Sequence, residues 1–596
     1  MYRKTSKQRT LFEAETFLQE SGKDRLKKSW AYGFARKILP ELLKFEDELS
    51  VLYSDNNGRP NWSAARLLGI CILQQSRDLN DQEALDALQF DIRWQYALGV
   101  ESTDAYLSRR SLLSFRRRLV ETDSEMKILK AFFNQVTNSA IKDLKISTSE
   151  QRVDSTLVTS NIQTAGRVDL FKKTLLYFVH MLRSKFPDRY QKTLPEDIRN
   201  WSETLEEKNW FGMVVKLKME KKRRLLSTLA DWLYDIQLIF QSDNEITSTE
   251  HYNLVKRLLS EHCEIAPASD SSSNNNSDDN NSDKAGNVDG QKKHPERGWK
   301  SGSKRNGKSR SKKGSGRRKK RASEGNAKPG KEKIRLLEKV ARPSESMGSP
   351  YDPDAGFSGH KGRGYFAHIS ETCNNKGTEI ITDFYVEPAA TDKRKEQKII
   401  EQLEDAGKKP SVLYADAGYP VAADVLESRL DGTEIISPIT LRNQPEDVIL
   451  RDRFKFDKNG LCTACPAGHA PVRHGMRTSS GKSVKTLHAF FTREQCGNCR
   501  FKERCSVRPA SNGKRRQFHI EIAPHLIDRD NMFIEQQNRS WWDRYNIRAG
   551  IEATISELKR GYGLGKLRFR KQPKVTCAIS LKIIACNSKR WISACA

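Results

Sequence analysis

The sequence predicts a mixed α/β fold divided among several domains. The chain of 596 residues is longer than one hydrophobic core usually supports. Short apolar runs bounded by Pro and Gly predict buried strands, and apolar residues at helical spacing predict helices near both ends of the chain. These patterns divide the sequence into segments 1–145, 146–265, 266–335, 336–455, 456–520 and 521–596.

Residues 1–145 are predicted to form a helical domain. Ser63 is expected to cap a helix over Ala64–Leu73, and Asp81 to cap a second helix. Several arginines follow these two helices. The segment is therefore either a DNA-binding domain or a helical bundle with a basic solvent-facing side. The buried side of the second helix is expected to include Ala84, Leu85 and Leu88.

The segment 146–265 is predicted to begin with a strand over residues 151–158, which mixes β-branched and polar side chains. This strand carries Asp154. Residues 171–262 then show helical spacing and are predicted to form a helical insertion. Its tryptophans are expected to be core residues rather than platforms for nucleic-acid bases; they are Trp201, Trp210 and Trp232.

An acidic and then basic linker is predicted over residues 266–335. Residues 291–335 contain nineteen Lys or Arg against three Asp or Glu, which is a large share of the formal net charge of +29. The linker has too few apolar residues to fold and is expected to be disordered. It is either a basic arm that binds DNA without sequence preference or a solvated connection.

The segment 336–455 contains a short apolar run over Ser411–Ala415, between Pro410 and Gly418. This run predicts a buried strand with Asp416 at its end. An Asp in that position would place a hard oxygen ligand in an open cleft, where Mg²⁺ can retain water and phosphate ligands. Taken alone, such an Asp is also a common turn former or helix cap.

A group of cysteines lies in the segment 456–520. Two Cys-x2-Cys pairs separated by thirty residues can form a tetrahedral zinc site, and one further cysteine can replace any of these four. The alternative is a set of reduced thiols without a metal, and disulfides are not expected. The five residues are Cys462, Cys465, Cys496, Cys499 and Cys505.

In the segment 521–596, Tyr545, Arg548, Glu552 and Lys559 are spaced so that one continuous helix would place them within an arc of roughly 60°. Gly550 leaves open a helix start near residues 546–551, which would remove Tyr545 from this face. The side that borders the charged residues is predicted to be buried and contains Ile547, Ile551, Ile555 and Leu558.

These polar residues predict phosphoryl-transfer chemistry. Asp154, Asp416 and Glu552 offer hard oxygen ligands for two divalent ions. Arg548 and Lys559 are suited to phosphate oxygens, because Arg offers a planar fork and Lys a mobile charge. The excess of positive charge agrees with a polyanionic partner. If any one of the helix residues is considered alone, the simpler interpretation is that it belongs to an ordinary solvated helix face.

The spacing Tyr545-x2-Arg548-x3-Glu552-x6-Lys559 resembles the Tyr-Arg-Glu-Lys signature of bacterial insertion-sequence transposases of the DDE type. Residues 152–156 (Arg-Val-Asp-Ser-Thr) resemble the family's first catalytic Asp region, and residues 414–419 (Tyr-Ala-Asp-Ala-Gly-Tyr) resemble the second. Residues 349–355 and 362–365 resemble the segment that opens the family's central strands. The resemblance extends from about Trp62 to about Arg570.

The resemblance implies a ribonuclease H-like catalytic core, with Asp154 and Asp416 on strands and Glu552 on a late helix. It implies two Mg²⁺ or Mn²⁺ ions on these carboxylates, and phosphate or DNA contacts by Tyr545, Arg548 and Lys559. It also implies double-stranded DNA as the partner, both transposon ends and target, and a homodimer that holds two ends in a synaptic complex. The N-terminal helical domain would recognise the ends.

Two other functions use the same features. A ribonuclease H-like nuclease would hydrolyse DNA with the same triad but without strand transfer. A DNA-binding regulator derived from a transposase would keep the scaffold and lack cleavage. The sequence contains no apolar stretch of about 20 residues, so no membrane span is expected, and no apolar leader follows the first residues. The expected location is the cytoplasm, in association with the nucleoid.

Overall fold

A computed structural model describes the chain outside several internal gaps. The mixed α/β architecture predicted from the sequence is confirmed, with a helical N-terminal region and a central sheet. No helix among the described residues is both long and apolar enough to cross a membrane. The described residues are 2, 15–16, 18–54, 61–161, 166–206, 217–265, 334–338, 340, 344–389, 395–419, 422–441, 447–478, 485–509 and 517–595.

The N-terminal region is a bundle of mostly short helices. Ser63 accepts a hydrogen bond from the Arg66 amide at 3.3 Å, which confirms it as the cap of its helix. The helices are α1 (Glu20–Lys27), α2 (Trp30–Gly33), α3 (Leu39–Lys44), α4 (Ala64–Ser76), α5 (Asp81–Phe90), α6 (Ile92–Leu98), α7 (Arg109–Thr122) and α8 (Lys127–Leu144), with a π turn at Phe34–Ile38 and 3₁₀ turns at Glu48–Leu52 and Ser102–Asp104.

The predicted cap of α5 is wrong by one residue. Asn80, not Asp81, accepts the amide hydrogen bonds of the first turn, and Glu83 completes a capping box by accepting from the Asn80 amide at 2.7 Å. Asp81 is the first helical residue, and Arg116 holds it in an ion pair at 2.7 Å. Two polar residues that can both cap stand next to each other in the sequence, and in the structure Asn80 caps the helix while Asp81 pairs with Arg116.

Strand β1 (Glu150–Val158) follows the bundle, and a helical insertion follows β1. The insertion has its own apolar core, and Trp201 and Trp232 both pack against it. The two indole rings meet each other edge to face, with ring centroids 5.1 Å apart. Trp210 and most of the predicted linker lie outside the described residues. The elements are α9 (Arg167–Lys185), α10 (Pro187–Lys192), α11 (Glu196–Glu206), α12 (Met219–Phe240), α13 (Asn244–Thr247), α14 (Glu250–His262), and the paired strands β2 (Cys263–Ile265) and β3 (Ile334–Leu336).

The central sheet comprises β1, β4 (Gly356–Ser358), β5 (Gly362–Thr372), β6 (Ile381–Pro388), β7 (Val412–Tyr414) and β8 (Glu434–Ile436). Its order is β6-β5-β1-β7-β8, and β4 pairs with the start of β5. Strands β5 and β6 are antiparallel to their neighbours, whereas β1, β7 and β8 are parallel to one another. Helices α15 (Glu396–Asp405) and α16 (Ala422–Leu430) cover one side of the sheet.

The cysteine-containing region has a separate small core. A four-stranded sheet of order β11-β12-β14-β13 lies beside a two-stranded hairpin of β9 and β10. All pairings between these strands are antiparallel. The elements are β9 (Lys455–Phe456), β10 (Cys462–Ala464), β11 (Arg473–Thr478), β12 (Lys485–Phe491), α17 (Arg493–Gly497), β13 (Arg508–Pro509) and β14 (Phe518–Ile522), preceded by a 3₁₀ turn at Arg451–Arg453.

The C-terminal part contains α18 (Pro524–Glu535), α19 (Arg539–Tyr545), α20 (Gly550–Gly561) and α21 (Gln572–Ala594). Helix α21 packs on α4 and α8, so both ends of the chain share one hydrophobic core. This core also covers the side of the central sheet that faces away from α15. Three of the four residues predicted on the buried side of the late helix, Ile551, Ile555 and Leu558, belong to the same core. The prediction is wrong for the fourth, Ile547, which lies in the turn before α20 and is only partly buried, against a different cluster.

The prediction of one helix through Tyr545 and Lys559 is wrong, and the alternative start is confirmed. Helix α19 ends at Tyr545, a 3₁₀ turn covers Asn546–Ala549, and α20 begins at Gly550. Arg152 gives a physical reason, because its guanidinium donates a hydrogen bond to the Ile547 carbonyl at 3.0 Å. In a continuous α-helix that carbonyl would instead accept from the amide four residues further on.

Candidate active site

The two aspartates predicted from the sequence lie on neighbouring chain segments, Asp154 within β1 and Asp416 two residues after the end of the parallel strand β7. In the register of β1 and β7, Arg152 lies opposite Tyr414. Asp154 follows Arg152 by two residues within β1, and Asp416 follows Tyr414 by two residues just beyond β7, so the two residues lie near one another along the sheet. The structure therefore brings together two residues that are 262 positions apart in the sequence.

Asp154 is mostly enclosed by its neighbours. Its side chain is 17% exposed, and its Oδ1 atom accepts a hydrogen bond from the Ser155 amide at 2.7 Å. The Oδ2 atom lies 3.0 Å from Nη2 of Arg548. This carboxylate thus has one oxygen fixed by the backbone and one that meets a cation.

Asp416 lies on an exposed turn directly after β7. Its Oδ1 atom accepts from the Ala417 amide at 2.8 Å. Its backbone carbonyl accepts from the Tyr419 amide at 3.0 Å and from the Ser437 hydroxyl at 3.1 Å. The turn is therefore held on both sides while the carboxylate stays open to solvent, as expected for a residue that contacts a ligand.

Arg548 connects the sheet to helix α20. Its Nη2 atom meets Asp154, and its Nη1 atom lies 3.5 Å from Oε1 of Glu552. Glu552 is in the first turn of α20 and its side chain is 68% exposed. The N-terminus of a helix favours a carboxylate. One guanidinium thus bridges two of the three predicted carboxylates.

The pKa shifts agree with a compact charged cluster. Burial raises the pKa of Asp154, Arg548 opposes the rise, and Asp416 adds to it as a like charge. Burial acts to lower the pKa of Arg548, but the neighbouring carboxylates outweigh it, so the pKa is raised. Burial also raises the pKa of Tyr545, with contributions from Asp416, Asp154 and Glu552. Each carboxylate of the triad therefore influences the same phenol.

Tyr545 and Lys559 occupy different places relative to this cluster. Tyr545 stacks on Trp541 with ring centroids 5.3 Å apart, at the end of α19, and the charges of the three carboxylates act on the pKa of its phenol. Lys559 is exposed on the same face of α20 as Glu552, two turns or about 10 Å further along. The phenol of Tyr545 therefore belongs to the charged cluster, whereas Lys559 adds a positive charge further along the same face of α20.

Sequence reasoning missed a lysine beside Asp154. Lys361 lies at the turn between β4 and β5, is exposed, and donates a hydrogen bond to the Ser155 hydroxyl at 3.2 Å. Its charge acts to lower the pKa of Asp154. The position of Lys361 just before the segment Gly362–Tyr365, which carries part of the family resemblance, was the available signal.

A buried network behind the carboxylates was also missed. Glu371 on β5 is fully buried and accepts from Nε of Arg152 at 2.7 Å. Its other oxygen accepts from the Thr554 hydroxyl at 2.5 Å and from Arg590 at 3.2 Å. Arg152 precedes Asp154 by two residues on β1, and Thr554 follows Glu552 by two residues on α20. The network therefore joins the strand of one candidate ligand to the helix of another.

Gly550 has a packing role at the start of α20. A Cβ atom placed there would lie 1.8 Å from Nη1 of Arg152, far below any normal contact distance. Glycine allows the guanidinium to pass close to the backbone and reach the Ile547 carbonyl. The glycine that weakens the helix prediction is therefore the residue that makes room for Arg152.

The donor set of this site fits Mg²⁺ or Mn²⁺, because these ions prefer carboxylate oxygens and commonly use two of them together with substrate phosphates. Within the described ranges, no three His, Cys, Asp or Glu side chains are already grouped to hold a metal ion. At Asp154 the positive partner is Arg548. The charge of Asp416 acts on Asp154, and Arg548 connects Asp154 to Glu552.

The cysteine region shows which thiols lie together. One cavity of about 30 Å³ is lined by Cys465, Cys496, Cys499 and Cys505. Burial raises the pKa of Cys496 to about 12, and the nearby thiols of Cys505, Cys465 and Cys499 add to the rise. Cys462 does not line this cavity; it is 1% exposed and belongs to the apolar core of the region.

Two parts of the chain match known family models. Residues 464–592 match a family described as "Transposase DDE domain", and residues 22–118 match a family described as "Transposase domain (DUF772)". The first match includes Tyr545, Arg548, Glu552 and Lys559, whereas Asp154 and Asp416 precede it. No curated protein and no solved structure gives a match.

The match to a transposase DDE domain suggests an enzyme that acts on DNA. More particularly, the two matches support a transposase of the DDE type, with its N-terminal region and its C-terminal region each similar to a transposase domain. DNA is the partner that this class implies, and DDE transposases generally use divalent metals such as Mg²⁺.

Proposed function

We propose that this chain cuts DNA at the ends of an insertion sequence and joins the freed ends to target DNA, using Asp154, Asp416 and Glu552. The observation that supports the proposal is the parallel pairing of Arg152 with Tyr414, because each of these residues precedes one of the two aspartates by two positions. Arg548 then links this pair to Glu552 on α20. Strands that carry two Asp residues and a late helix that carries the Glu are the arrangement expected of a ribonuclease H-like core.

In this proposal the three carboxylates hold two Mg²⁺ or Mn²⁺ ions. Two such ions, when bound, activate the attacking oxygen and stabilise the leaving oxygen at a phosphodiester. The surrounding cations bind the substrate. Arg548 exchanges its carboxylate partner for phosphate oxygens, which its planar fork fits. Lys361 and Lys559 contact the DNA backbone on either side, and Tyr545 closes the site beside the scissile phosphate.

The chemistry proceeds in two balanced steps. Water attacks the phosphorus at the transposon end, the bond from phosphorus to the 3′ oxygen breaks, and a 3′ hydroxyl and a 5′ phosphate result. The 3′ hydroxyl then attacks a target phosphodiester, forms the new bond and releases a target 3′ hydroxyl. One chain carries one set of carboxylates, so holding two ends requires a second copy. We therefore propose a homodimer in the synaptic complex.

The test is cleavage and joining of labelled DNA that carries the element's own ends, with Mg²⁺ or Mn²⁺. The native chain is compared with Asp154→Asn, Asp416→Asn and Glu552→Gln. Asp405→Asn is the matched control, because Asp405 is exposed at the end of α15. Joined product from the native chain and the control, with loss of at least about 100-fold in each triad variant, supports the proposal.

Other results would assign the chain to another class. Cutting by the native chain without any joined product would replace the transposase with a nuclease. Binding of the ends by all variants, with no cutting by the native chain, would replace it with a DNA-binding regulator. Full activity in the Glu552→Gln variant would remove Glu552 from the site.

A further inference from the structure

We propose that Cys465, Cys496, Cys499 and Cys505 bind a structural zinc ion and that Cys462 is not a ligand. The four thiols line one cavity of about 30 Å³ in the region that follows the central sheet. Four cysteine sulfurs are the usual ligands of a closed, structural zinc site. This inference concerns a part of the chain that the proposed DNA chemistry does not use.

The cavity is formed by two short turns and one helix that hold each other in place. Cys465 lies in a turn in which its amide donates to the His469 carbonyl at 2.9 Å and its carbonyl accepts from Gly468 at 2.8 Å. Cys496 lies in α17. Gln495 of that helix donates to the Ala470 carbonyl at 3.0 Å. The turn and the helix are therefore tied together before any metal binds.

The other two cysteines are held from the opposite side. Cys499 accepts a hydrogen bond at its sulfur from the Phe501 amide, with a distance of 3.5 Å. An amide that donates to a sulfur favours the thiolate, which is the form that binds metal. Cys505 forms a parallel backbone bridge with Ile449, which fixes its position next to the cavity. All four sulfurs are thus attached to backbone that is separately restrained.

Cys462 differs from these four in its surroundings. Its side chain is 1% exposed and packs in the apolar core of the cysteine region. Its thiol donates weakly to the Ala464 carbonyl at 3.8 Å. It lies outside the cavity that the other four line. A buried thiol of this kind behaves as a small apolar side chain, so its Cys-x2-Cys spacing to Cys465 does not make it a ligand.

The size of the region gives a reason for a metal. Among the residues of this region that the structure describes, seven form a buried apolar core, which is a small core. Small units of this kind commonly gain stability from a disulfide or a structural metal. All five cysteines are free thiols. The remaining option is therefore a metal.

Binding requires a local contraction. Among the residues that the structure describes, no three ligating side chains are yet at metal-binding geometry, and zinc–sulfur bonds are about 2.3 Å long. A cavity of about 30 Å³ is small enough to close around an ion by side-chain rotation, since it exceeds the room for one water by only about two-fold. Thiols on turns can make this movement without changing the sheet.

The metal content of the purified full-length chain tests the proposal without DNA, so its outcome is separate from that of the cleavage assay. We expect about one zinc per chain. In a chelator competition, Cys496→Ala and Cys505→Ala should each bind zinc at least about ten-fold more weakly than the native chain. Cys462→Ala is the matched control and should retain it. Cys462 is the more buried of Cys462 and Cys505, so a loss of zinc that is limited to the Cys505 variant cannot be assigned to lost packing.

A second measurement guards against variants that fail to fold. Co²⁺ is titrated into the metal-free native chain, and its absorption reports tetrahedral coordination by four thiolates. Absence of metal from the native chain, iron in place of zinc, or a spectrum of fewer than four thiolates would overturn the proposal. Loss of zinc from Cys462→Ala together with full retention in Cys505→Ala would overturn the assignment of the ligands.

Discussion

Arg152 and Glu371 form a buried ion pair between β1 and β5, with Nη2 of Arg152 lying 2.6 Å from Oε1 of Glu371. The pair also reaches the C-terminal helices, because Arg152 donates to Ile547 and Glu371 accepts from Thr554. The strand of Asp154 and the helix of Glu552 are therefore fixed to one another through charged side chains that do not themselves belong to the triad.

The first prediction concerns Glu371→Gln. The change leaves the cation of Arg152 buried without its partner, and breaking a buried pair costs about 3–5 kcal/mol. We expect a lower midpoint in urea unfolding of the region that contains the central sheet. Cleavage should fall more than DNA binding, because the position of Glu552 relative to Asp154 changes while the exposed cations stay.

The matched control for Glu371 is Glu404→Gln, since Glu404 is exposed in α15 and pairs with Lys409 at the surface. It should leave both unfolding and cleavage nearly unchanged. If Glu371→Gln retained native cleavage while the urea midpoint fell, the network would be structural only and would not position the triad.

The second prediction compares two glycines of α20. Gly550→Ala places a Cβ atom 1.8 Å from the Arg152 guanidinium, which must move away from Ile547. Gly561→Ala meets nothing within 4 Å and should favour the helix by up to about 1 kcal/mol. We expect at least about ten-fold slower single-turnover cleavage for the first variant and native rates for the second.

Equal rates for the two glycine variants would contradict this account. They would show that the contact between Arg152 and the start of α20 has no influence on the reacting groups. A lower thermal stability of Gly561→Ala would likewise contradict the helix end described here.

The third prediction follows from the raised pKa of Asp154. The folded chain binds a proton at this residue more readily than the unfolded chain. The stability contributed by this group is therefore complete below its ordinary pKa of 3.8 and is lost as the pH rises through the raised value. Without metal, Asp154→Asn should thus gain stability relative to the native chain as the pH rises above about 4.

Urea unfolding of the two chains in chelator at several pH values measures this difference. Mg²⁺ should restore stability to the native chain as the pH rises, because the ionised carboxylate is the metal ligand, and should have no such effect on Asp154→Asn. A difference between the chains that does not change with pH would assign the effect to packing rather than to ionisation.

The fourth prediction concerns the role of Lys361 in binding DNA. Lys361→Ala removes a positive charge beside Asp154 and Ser155. We expect weaker binding to all DNA sequences. The slope of log affinity against log salt concentration should fall by about one, as for loss of one phosphate contact. Lys376→Ala is the control, because Lys376 is exposed beyond the opposite end of β5. An identical salt slope for both variants would exclude Lys361 from the DNA contact.

The sequence by itself determined the elements whose signals are local. The apolar run before Asp416 predicts its strand, and the residues around Asp154 predict β1. The spacing of Ile551, Ile555 and Leu558 predicts the buried side of α20. These predictions succeed because strand and helix periodicities are properties of neighbouring residues, which the chain displays without any long-range contact.

Only the tertiary structure decided how these elements meet. Asn80 caps α5, and the neighbouring Asp81 instead pairs with Arg116 from α7. The 3₁₀ turn before α20 depends on Arg152, almost 400 residues earlier in the sequence. Among the cysteines, burial separated Cys462 from the four thiols of one cavity. Each of these outcomes depends on desolvation and on contacts between distant segments, and neither quantity can be read from local spacing.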